Sequence, residues 1–277
     1  MAAPAAQLPP LPLVILLLAA AMAAPRPCSA VDPVATYCAK NGTTAQTQAN
    51  IDAVLASLVP RASAAYYAVS TSGSGADAVH GLAQCRGDVP RQDCALCLSA
   101  AARALASSCR GSGDARAFYD YCLLRYLSGG DNFIGLPDTG YTLILLNTQN
   151  ASGVDLGAFD RAQSKLMARV AAEAGDVDRS KQQGLARETA KLGSSMILYG
   201  LGWCTRDITP ADCGLCVAQA VAELPNYCRY RRGCRVIYSS CMARYETYPF
   251  FFPGDGGRQG DDSAEHAGEY AMVVHDP

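Results

Sequence analysis

The residues of this chain with the most evident chemistry are its 13 cysteines, because a thiol can form a disulfide, bind a metal or act as a nucleophile. Five of them recur at a constant offset of 119 residues, and several residues between them recur in the same register. A fixed offset of this kind indicates that one cysteine-rich unit occurs twice. The recurring positions are Cys85, Cys94, Cys97, Cys109 and Cys122 in the first copy and Cys204, Cys213, Cys216, Cys228 and Cys241 in the second.

The closely spaced pairs, Cys94 with Cys97 and Cys213 with Cys216, are compatible with two kinds of site. Two C-x2-C pairs can supply the four thiolates of a structural zinc site. The alternative is disulfides, which the sequence favours because it indicates an oxidising compartment and an even number of cysteines in the mature chain. We therefore expect disulfides, with no metal and no other cofactor.

The first thirty residues have the pattern of a secretory signal peptide. An apolar run over residues 11–24 precedes Cys28, Ser29 and Ala30, small residues in a typical cleavage position. We place the mature N-terminus at Val31, so that cleavage removes Cys28 and leaves an even number of cysteines. An uncleaved membrane anchor is the alternative, but the apolar core is short for a spanning helix.

The mature sequence has the composition of a soluble extracellular protein. No later run reaches the roughly 18 apolar residues of a spanning helix. Without Arg26, 22 basic and 25 acidic side chains remain, so the charge gives no basis for binding nucleic acid or anionic membranes. Two sequons predict glycosylation at Asn41 and Asn150, which fits secretion to the apoplast.

Helices and strands are predicted to position the cysteines in the first copy. Apolar residues at helical spacing predict a helix over residues 46–58 that ends before Pro60. A second helix is predicted to begin near Pro90 and to carry Cys94 and Cys97 on similar faces. Strands are predicted over residues 66–70, 79–86 and 118–127.

The second copy is predicted to repeat this order. A helix is expected over residues 159–172, and another begins at Thr209, where Thr209 and Asp212 resemble a capping box. Strands are expected over residues 141–147 and 235–248. Each copy is therefore predicted to be an α+β unit.

These elements suggest boundaries for the whole chain. We predict a first domain over residues 31–132, a linker over 133–140 and a second domain over 141–253. Residues 254–277 are rich in glycine and acidic residues and are predicted to form a disordered tail. His266 and His275 in this tail are expected to be solvated, because neither has cysteines or carboxylates at metal-binding spacing.

The run Cys85-x8-Cys94-x2-Cys97, which recurs from Cys204, resembles the signature of the plant ginkbilobin-homologous domain, also called the stress-antifungal domain. Two such domains behind a signal peptide are similar to the plant cysteine-rich repeat secretory proteins. The resemblance covers nearly the whole mature chain. It implies two tandem disulfide-stapled domains, each an antiparallel β-sheet with two helices packed on it.

The resemblance also implies how the six cysteines of a domain pair: the first with the fifth, the second with the third and the fourth with the sixth. The second domain lacks a counterpart of Cys38, so we predict that Cys228 pairs with the unmatched Cys234. The remaining implied pairs are Cys38–Cys109, Cys85–Cys94, Cys97–Cys122, Cys204–Cys213 and Cys216–Cys241.

Ginkbilobin-type domains are mannose-binding antifungal lectins, so the resemblance implies a carbohydrate site made of an Asn, an Arg and a Glu. Asn147, Arg235 and Glu246 match these positions in the second domain, and their donors and acceptors can satisfy adjacent sugar hydroxyls. The first domain keeps only the Arg, as Arg116. The alternative for Arg235 and Glu246 is a cross-strand ion pair on a solvated sheet face.

No catalytic group of residues stands out in the sequence. His80 is the only histidine in the predicted domains, and Tyr199 occupies its place in the second copy. We expect a secreted, mannose-binding antifungal defence protein that acts on fungal cell-wall mannan, and no enzyme activity. The alternative is an apoplastic interaction module that binds a receptor ectodomain or a secreted microbial protein and has no sugar site.

Overall fold

The structure is a computed structural model that describes residues 32–176, 184–193, 196–252 and 269–275. The predicted signal peptide lies outside these residues. The described chain forms two α+β domains, each with two helices on one face of an antiparallel sheet. This is the fold class that the sequence predicts.

The first domain contains a five-stranded sheet in the order β1-β4-β5-β3-β2. A single 3-10 turn over Gly75–Asp77 joins β2 to β3. The elements are β1 (Pro33–Cys38), α1 (Ala45–Ala65), β2 (Tyr67–Ser72), β3 (Val79–Cys85), α2 (Arg91–Ser108), β4 (Asp114–Tyr119) and β5 (Cys122–Ser128).

The second domain repeats this arrangement and adds one strand at an edge, in the order β11-β6-β9-β10-β8-β7. Its elements are β6 (Thr142–Asn147), α3 (Leu156–Ala174), β7 (Leu185–Leu192), β8 (Met196–Cys204), α4 (Pro210–Cys228), β9 (Gly233–Tyr238), β10 (Cys241–Glu246) and β11 (Tyr270–His275).

Helix α1 is longer than the sequence predicts. It begins where the Thr44 hydroxyl accepts a hydrogen bond from the Thr47 amide, an N-cap that satisfies a free helix donor. The predicted end before Pro60 is wrong, because the helix continues to Ala65. Pro60 removes one backbone donor, but Ala62, two residues later, is fully buried, so packing retains the helix.

Two segments predicted as single strands are hairpins. The predicted strand 118–127 divides into β4 and β5 at Asp120 and Tyr121, and the predicted strand 235–248 divides into β9 and β10 at Ser239 and Ser240. Neither turn contains the Gly or Asn-Gly that usually indicates a two-residue hairpin loop. The sequence therefore showed no interruption at these points.

The prediction of a disordered tail over residues 254–277 is wrong for Tyr270–His275. This segment forms β11, which pairs in antiparallel register with β6. Its valines and aromatic residue favour a strand, and β6 offers an unpaired edge. His275 thus belongs to a strand, whereas His266 lies outside the described residues.

The two domains pack sheet against sheet, so the described chain has four layers. Helices α1 and α2 cover the inner face of the first sheet, and α3 and α4 cover that of the second. The outer faces of both sheets meet each other. They enclose a third apolar cluster of Phe118, Leu123, Tyr141, Leu143, Leu185, Leu201, Trp203, Ile237, Met242, Tyr248 and Phe250.

Six disulfides, three in each domain, tie strands to helices, and five of them are the pairs that the family order implies. The predicted Cys228–Cys234 bridge is also present. The zinc alternative is wrong, because the C-x2-C cysteines form separate disulfides and so have no thiolates to offer a metal. The other five bonds are Cys38–Cys109, Cys85–Cys94, Cys97–Cys122, Cys204–Cys213 and Cys216–Cys241.

The repeated glycines Gly81 and Gly200 let a helix approach each sheet closely. A Cβ atom on Gly81 would lie 2.4 Å from Val54 Cγ1, whereas one on Gly200 would lie 3.1 Å from its nearest neighbours.

We predict that Gly81→Ala lowers the free energy of unfolding by about 1–3 kcal/mol through overpacking, and Gly200→Ala by less. Chemical denaturation with intact disulfides measures both values.

Gly42→Ala is the matched control for this pair of variants. No heavy atom lies within 4 Å of the position that its Cβ would take, so the free energy of unfolding should hardly change. A loss at Gly81 no larger than that at Gly42 would contradict the close approach of α1 to β3.

Candidate functional site

The three residues expected to bind mannose lie on one face at one corner of the second sheet. Arg235 on β9 is opposite Leu145 on β6 and opposite Arg244 on β10. Asn147 follows Leu145 by two residues, and Glu246 follows Arg244 by two. Because side chains two residues apart in a strand share a face, the structure brings the predicted triad together.

That face is the one that packs against the first domain. Asn147 and Glu246 have no exposed surface, and Arg235 keeps only 7%. In this arrangement the three side chains are therefore shielded from solvent. The physical reason for Arg235 is sheet-on-sheet packing, which places the first domain over it. Glu246 is enclosed by Arg244 and Tyr270 of its own domain.

Arg235 binds a carboxylate of the other domain. Asp120, in the turn between β4 and β5, lies with Oδ1 2.5 Å from Arg235 Nη1 and 3.6 Å from Arg244 Nη1. Burial alone would raise the pKa of Asp120, but the two guanidinium groups outweigh it and lower this pKa to about 2. Asp120 is therefore ionised and joins the domains by charge-assisted contacts.

Glu246 is held within the second domain. Its Oε1 accepts hydrogen bonds from Arg244 Nε at 2.8 Å and from the Tyr270 hydroxyl at 2.7 Å. Burial raises the pKa of Glu246, and the Arg244 charge and the Tyr270 hydrogen bond only partly offset this effect. The alternative of an Arg235–Glu246 pair on a solvated face is wrong, since Arg235 binds Asp120 and both side chains are buried.

Asn147 stabilises the turn that follows β6. Its Oδ1 accepts a hydrogen bond from the Gln149 amide at 2.9 Å, a local contact common where a strand leads into a turn. The nearby sequon residue Asn150 is exposed and forms an isolated bridge with Arg231. Asn41, the other predicted glycosylation site, is also exposed.

The first domain has an equivalent pair of arginines with a different carboxylate. Arg116 and Arg125 correspond to Arg235 and Arg244 by the repeat offset, and they face each other across β4 and β5. Asp138 Oδ2 lies 2.9 Å from Arg125 Nη2 and 3.7 Å from Arg116 Nη2. Each buried arginine pair thus contacts one aspartate from outside its own sheet and one carboxylate on its own sheet. The second carboxylate is Asp114, 2.9 Å from Arg116, in the first domain and Glu246, 2.8 Å from Arg244, in the second.

The linker residue Asp138 is also attached to the second domain. Its amide donates to the Ser240 hydroxyl at 2.9 Å, and the Ser240 amide donates to the Asp138 carbonyl at 3.1 Å. Burial would raise the pKa of Asp138, but Arg125 and Arg116 lower it below its ordinary value. The linker is therefore part of the interface between the domains.

Gln84 is an interface residue that the sequence analysis missed. It is fully buried, and its side chain satisfies two backbone groups of the other domain. Its Nε2 donates to the Cys204 carbonyl at 2.8 Å, and its Oε1 accepts from the Arg206 amide at 2.8 Å. The repeat comparison could not indicate it, because Trp203 occupies the equivalent position.

The segment after β10 crosses to the first domain. The Phe252 amide donates to Asp88 Oδ2 at 2.9 Å, and its carbonyl accepts from Arg187 Nη1 at 2.6 Å. Its ring packs at the first core, 5.5 Å from the ring of Tyr121. Asp88 is in turn fixed by Arg86, whose Nε lies 2.6 Å from Asp88 Oδ1. Charge, backbone and apolar contacts thus all join the two domains.

Within the described residues, metal-ligand clusters and helices that could span a membrane are both absent. No group of three or more His, Cys, Asp and Glu within them is placed to hold a metal ion. His80 lies on β3, and its Nδ1 is 3.0 Å from the Thr71 hydroxyl. Within the described ranges, none of the helices combines the length and apolarity that a membrane crossing requires.

Comparison with known proteins identifies similar sequences. The family described as "Salt stress response/antifungal" matches residues 35–128 and 147–248. Cysteine-rich repeat secretory protein 55 of Arabidopsis thaliana is 39% identical over 238 residues, which span 84% of this chain and 89% of that protein. The antimicrobial ginkbilobin-2-like protein of Castanea crenata is 33% identical over 222 residues, 79% of this chain and 89% of that protein.

A solved structure has a similar fold. The tandem DUF26 ectodomain of the cysteine-rich receptor-like protein PDLP8 from Arabidopsis thaliana aligns with a TM-score of 0.65 and 25% identity. The alignment covers 79% of this chain and all of that one. The two-domain α+β arrangement is therefore shared with an extracellular tandem.

The lowered pKa of Asp120 predicts how the interface responds to acid. The contribution of Asp120 is fully present above its ordinary pKa of 3.8 and is lost as the pH falls through about 2. We predict that Asp120→Asn lowers the free energy of unfolding by about 1.5–3 kcal/mol at neutral pH. This difference from the unaltered protein should disappear between about pH 4 and pH 2. Denaturant unfolding across this range measures it.

Asp52→Asn is the control for this titration. Asp52 is exposed on α1 and accepts a hydrogen bond from Gln48. Its replacement should change the free energy of unfolding by less than about 0.5 kcal/mol at every pH. An Asp120→Asn effect that does not depend on pH would contradict an ionised Asp120 at the interface.

Proposed function

Because this chain belongs to the Salt stress response/antifungal family, we propose that it is an extracellular defence protein that acts by binding another macromolecule. Its relatives include a cysteine-rich repeat secretory protein and an antimicrobial ginkbilobin-2-like protein. The proposed activity is recognition without catalysis, carried out by two domains held as one unit.

The contact between Asp120 and Arg235 favours binding of a polypeptide over binding of a sugar. A sugar can use Arg235 only if the guanidinium is free to donate, and in this structure it is occupied by a carboxylate of the other domain. Displacing Asp120 with a neutral hydroxyl would exchange a charge-assisted contact for a weaker one. This supports an interaction module that uses other surfaces for a polypeptide partner, such as a receptor ectodomain or a secreted microbial protein.

Mannose binding at Asn147, Arg235 and Glu246 is the second candidate function. It is supported by the shared corner at which the three side chains meet. In this mode the first domain would have to withdraw Asp120, and Tyr270 would have to release Glu246. The two candidates therefore differ in whether the domain interface must open before binding.

Retention on mannan-coated beads separates the two candidates. We predict that free mannose releases no intact protein from the beads, because the three side chains are already bound within the protein. The double variant Arg235→Ala with Glu246→Ala should behave identically on the beads. It should unfold at lower denaturant concentration, because Asp120 and Arg244 lose their partners.

Arg229→Ala serves as the control variant for this assay. The Arg229 side chain is 60% exposed and lies 3.7 Å from Asp160 at the surface, so its loss should alter neither stability nor retention. Mannose-released retention that disappears in the double variant and persists in Arg229→Ala would establish the lectin mode and reject the interaction module.

A further inference from the structure

The added strand β11 occupies the outer edge of β6 along its whole length. Six residues pair in antiparallel register, from Tyr270 opposite Asn147 to His275 opposite Thr142. The Thr148 amide continues the ladder by donating to the Glu269 carbonyl at 2.8 Å. β11 therefore satisfies the backbone groups that β6 would otherwise leave unpaired.

The domain fold does not require this sixth strand. In the first domain β1 takes the position that β6 takes in the second, and among the described residues no further strand pairs with its outer edge. β11 also lies beyond residue 248, where the family match ends. Because an edge strand with free donors and acceptors can pair with another chain, β6 without β11 would be such an edge.

Few side chains hold β11 in place. Met272 and Val274 are 50% and 45% exposed, whereas Val273 contacts the second core. At the end of the strand, the His275 ring lies against Tyr227 of α4, with Nε2 3.1 Å from the hydroxyl. β11 can thus detach with little loss of core packing, because its apolar contribution to the core comes mainly from Val273.

The other anchor is polar and specific. The Tyr270 hydroxyl donates to Glu246 Oε1 at 2.7 Å and lies 3.0 Å from the Tyr248 hydroxyl. A strand that pairs with β6 is therefore favoured if it carries an aromatic hydroxyl at the position opposite Asn147. An apolar residue three positions later, at the place of Val273, completes the recognition.

We propose that the outer edge of β6 is a peptide-binding edge and that β11 occupies it as an internal competitor. The partner is an extended segment of another polypeptide that pairs antiparallel with β6. It carries a hydroxyl-bearing aromatic side chain that reaches Glu246 and an apolar side chain three residues later. This inference rests on the proposed interaction module and names its partner class.

The test uses the full chain, with a specific protease site inserted between Gly257 and Arg258 so that β11 can be detached after folding. The probe is a fluorescent peptide with the sequence of residues 269–277. We expect the cleaved protein to bind it at least about tenfold more strongly than the uncleaved protein, in which the tethered strand competes at high effective concentration. Fluorescence anisotropy measures binding, and hydrogen exchange should show protection of β6 amides.

Two altered peptides test the recognition. A peptide with Tyr270→Phe should bind roughly tenfold more weakly, because it cannot donate a hydrogen bond to Glu246. A peptide with the same residues in scrambled order should not bind. Equal binding of the original and scrambled peptides would overturn the proposal.

A second variant makes the test independent of cleavage. Val273→Asp in the uncleaved chain should loosen β11 and allow the original peptide to bind, while the disulfide-bonded domains remain folded by circular dichroism. Failure of the folded variant and the folded cleaved protein to bind would overturn the proposal. Unfolding of the second domain on cleavage would also overturn it, because β11 would then be an integral strand.

Two further outcomes distinguish a peptide-binding edge at β6 from self-association of this chain and from mannose binding. Dimerisation of the Val273→Asp variant in place of peptide binding would assign the edge to a second copy of this chain and reject a separate polypeptide. Mannose-released retention on mannan would reject the proposed interaction module, whereas loss of peptide binding alone would reject only the β6 edge as its binding surface.

Discussion

The neutralisation of paired arginines between two β-sheets is the constraint on which this structure depends. Arg235 and Arg244 are cross-strand neighbours, as are Arg116 and Arg125, and each pair lies on the face that its sheet buries. Like charges in that arrangement repel and are costly to bury. Asp120 and Asp138 supply half of the balancing charge from the opposite domain and from the linker. Asp114 and Glu246 supply the other half from within the two sheets. Neither sheet could bury its outer face in this way without the rest of the tandem.

This constraint also determines which surfaces are available for binding. The face that carries Arg235 and Glu246 is occupied by contacts between the domains, so it contributes to stability. The helices cover the inner faces of the sheets. In the part of the chain that the structure describes, the exposed side of the helices and the strand edges remain for a partner, and β11 covers the outer edge of β6. Recognition of a polypeptide through strand pairing is consistent with this distribution of surfaces.

Some features followed from local sequence patterns and others did not. The cysteine register predicted the duplication, and Gly81 and Gly200 recur because a helix crosses each strand there. The hairpin turn at Asp120 was missed because it contains no glycine. β11 was missed because its flanking sequence is polar and glycine-rich, although Tyr270–His275 has good strand propensity. The repeat position of Gln84 holds Trp203, a different residue type, so no pattern in a single sequence distinguished Gln84 from a surface residue.

The sequence by itself determined the two-copy organisation, the α+β class and, through resemblance to a known family, the disulfide pairs. The first two depend on spacing and periodicity along one chain, whereas the disulfide pairs came from the resemblance. Only the tertiary structure decided that Asn147, Arg235 and Glu246 are buried and that Arg235 binds Asp120. Strand alternation identifies which residues share a face, but it does not indicate what covers that face. Its environment depends on how two sheets distant in sequence pack, which is set by their combined apolar and charged surfaces.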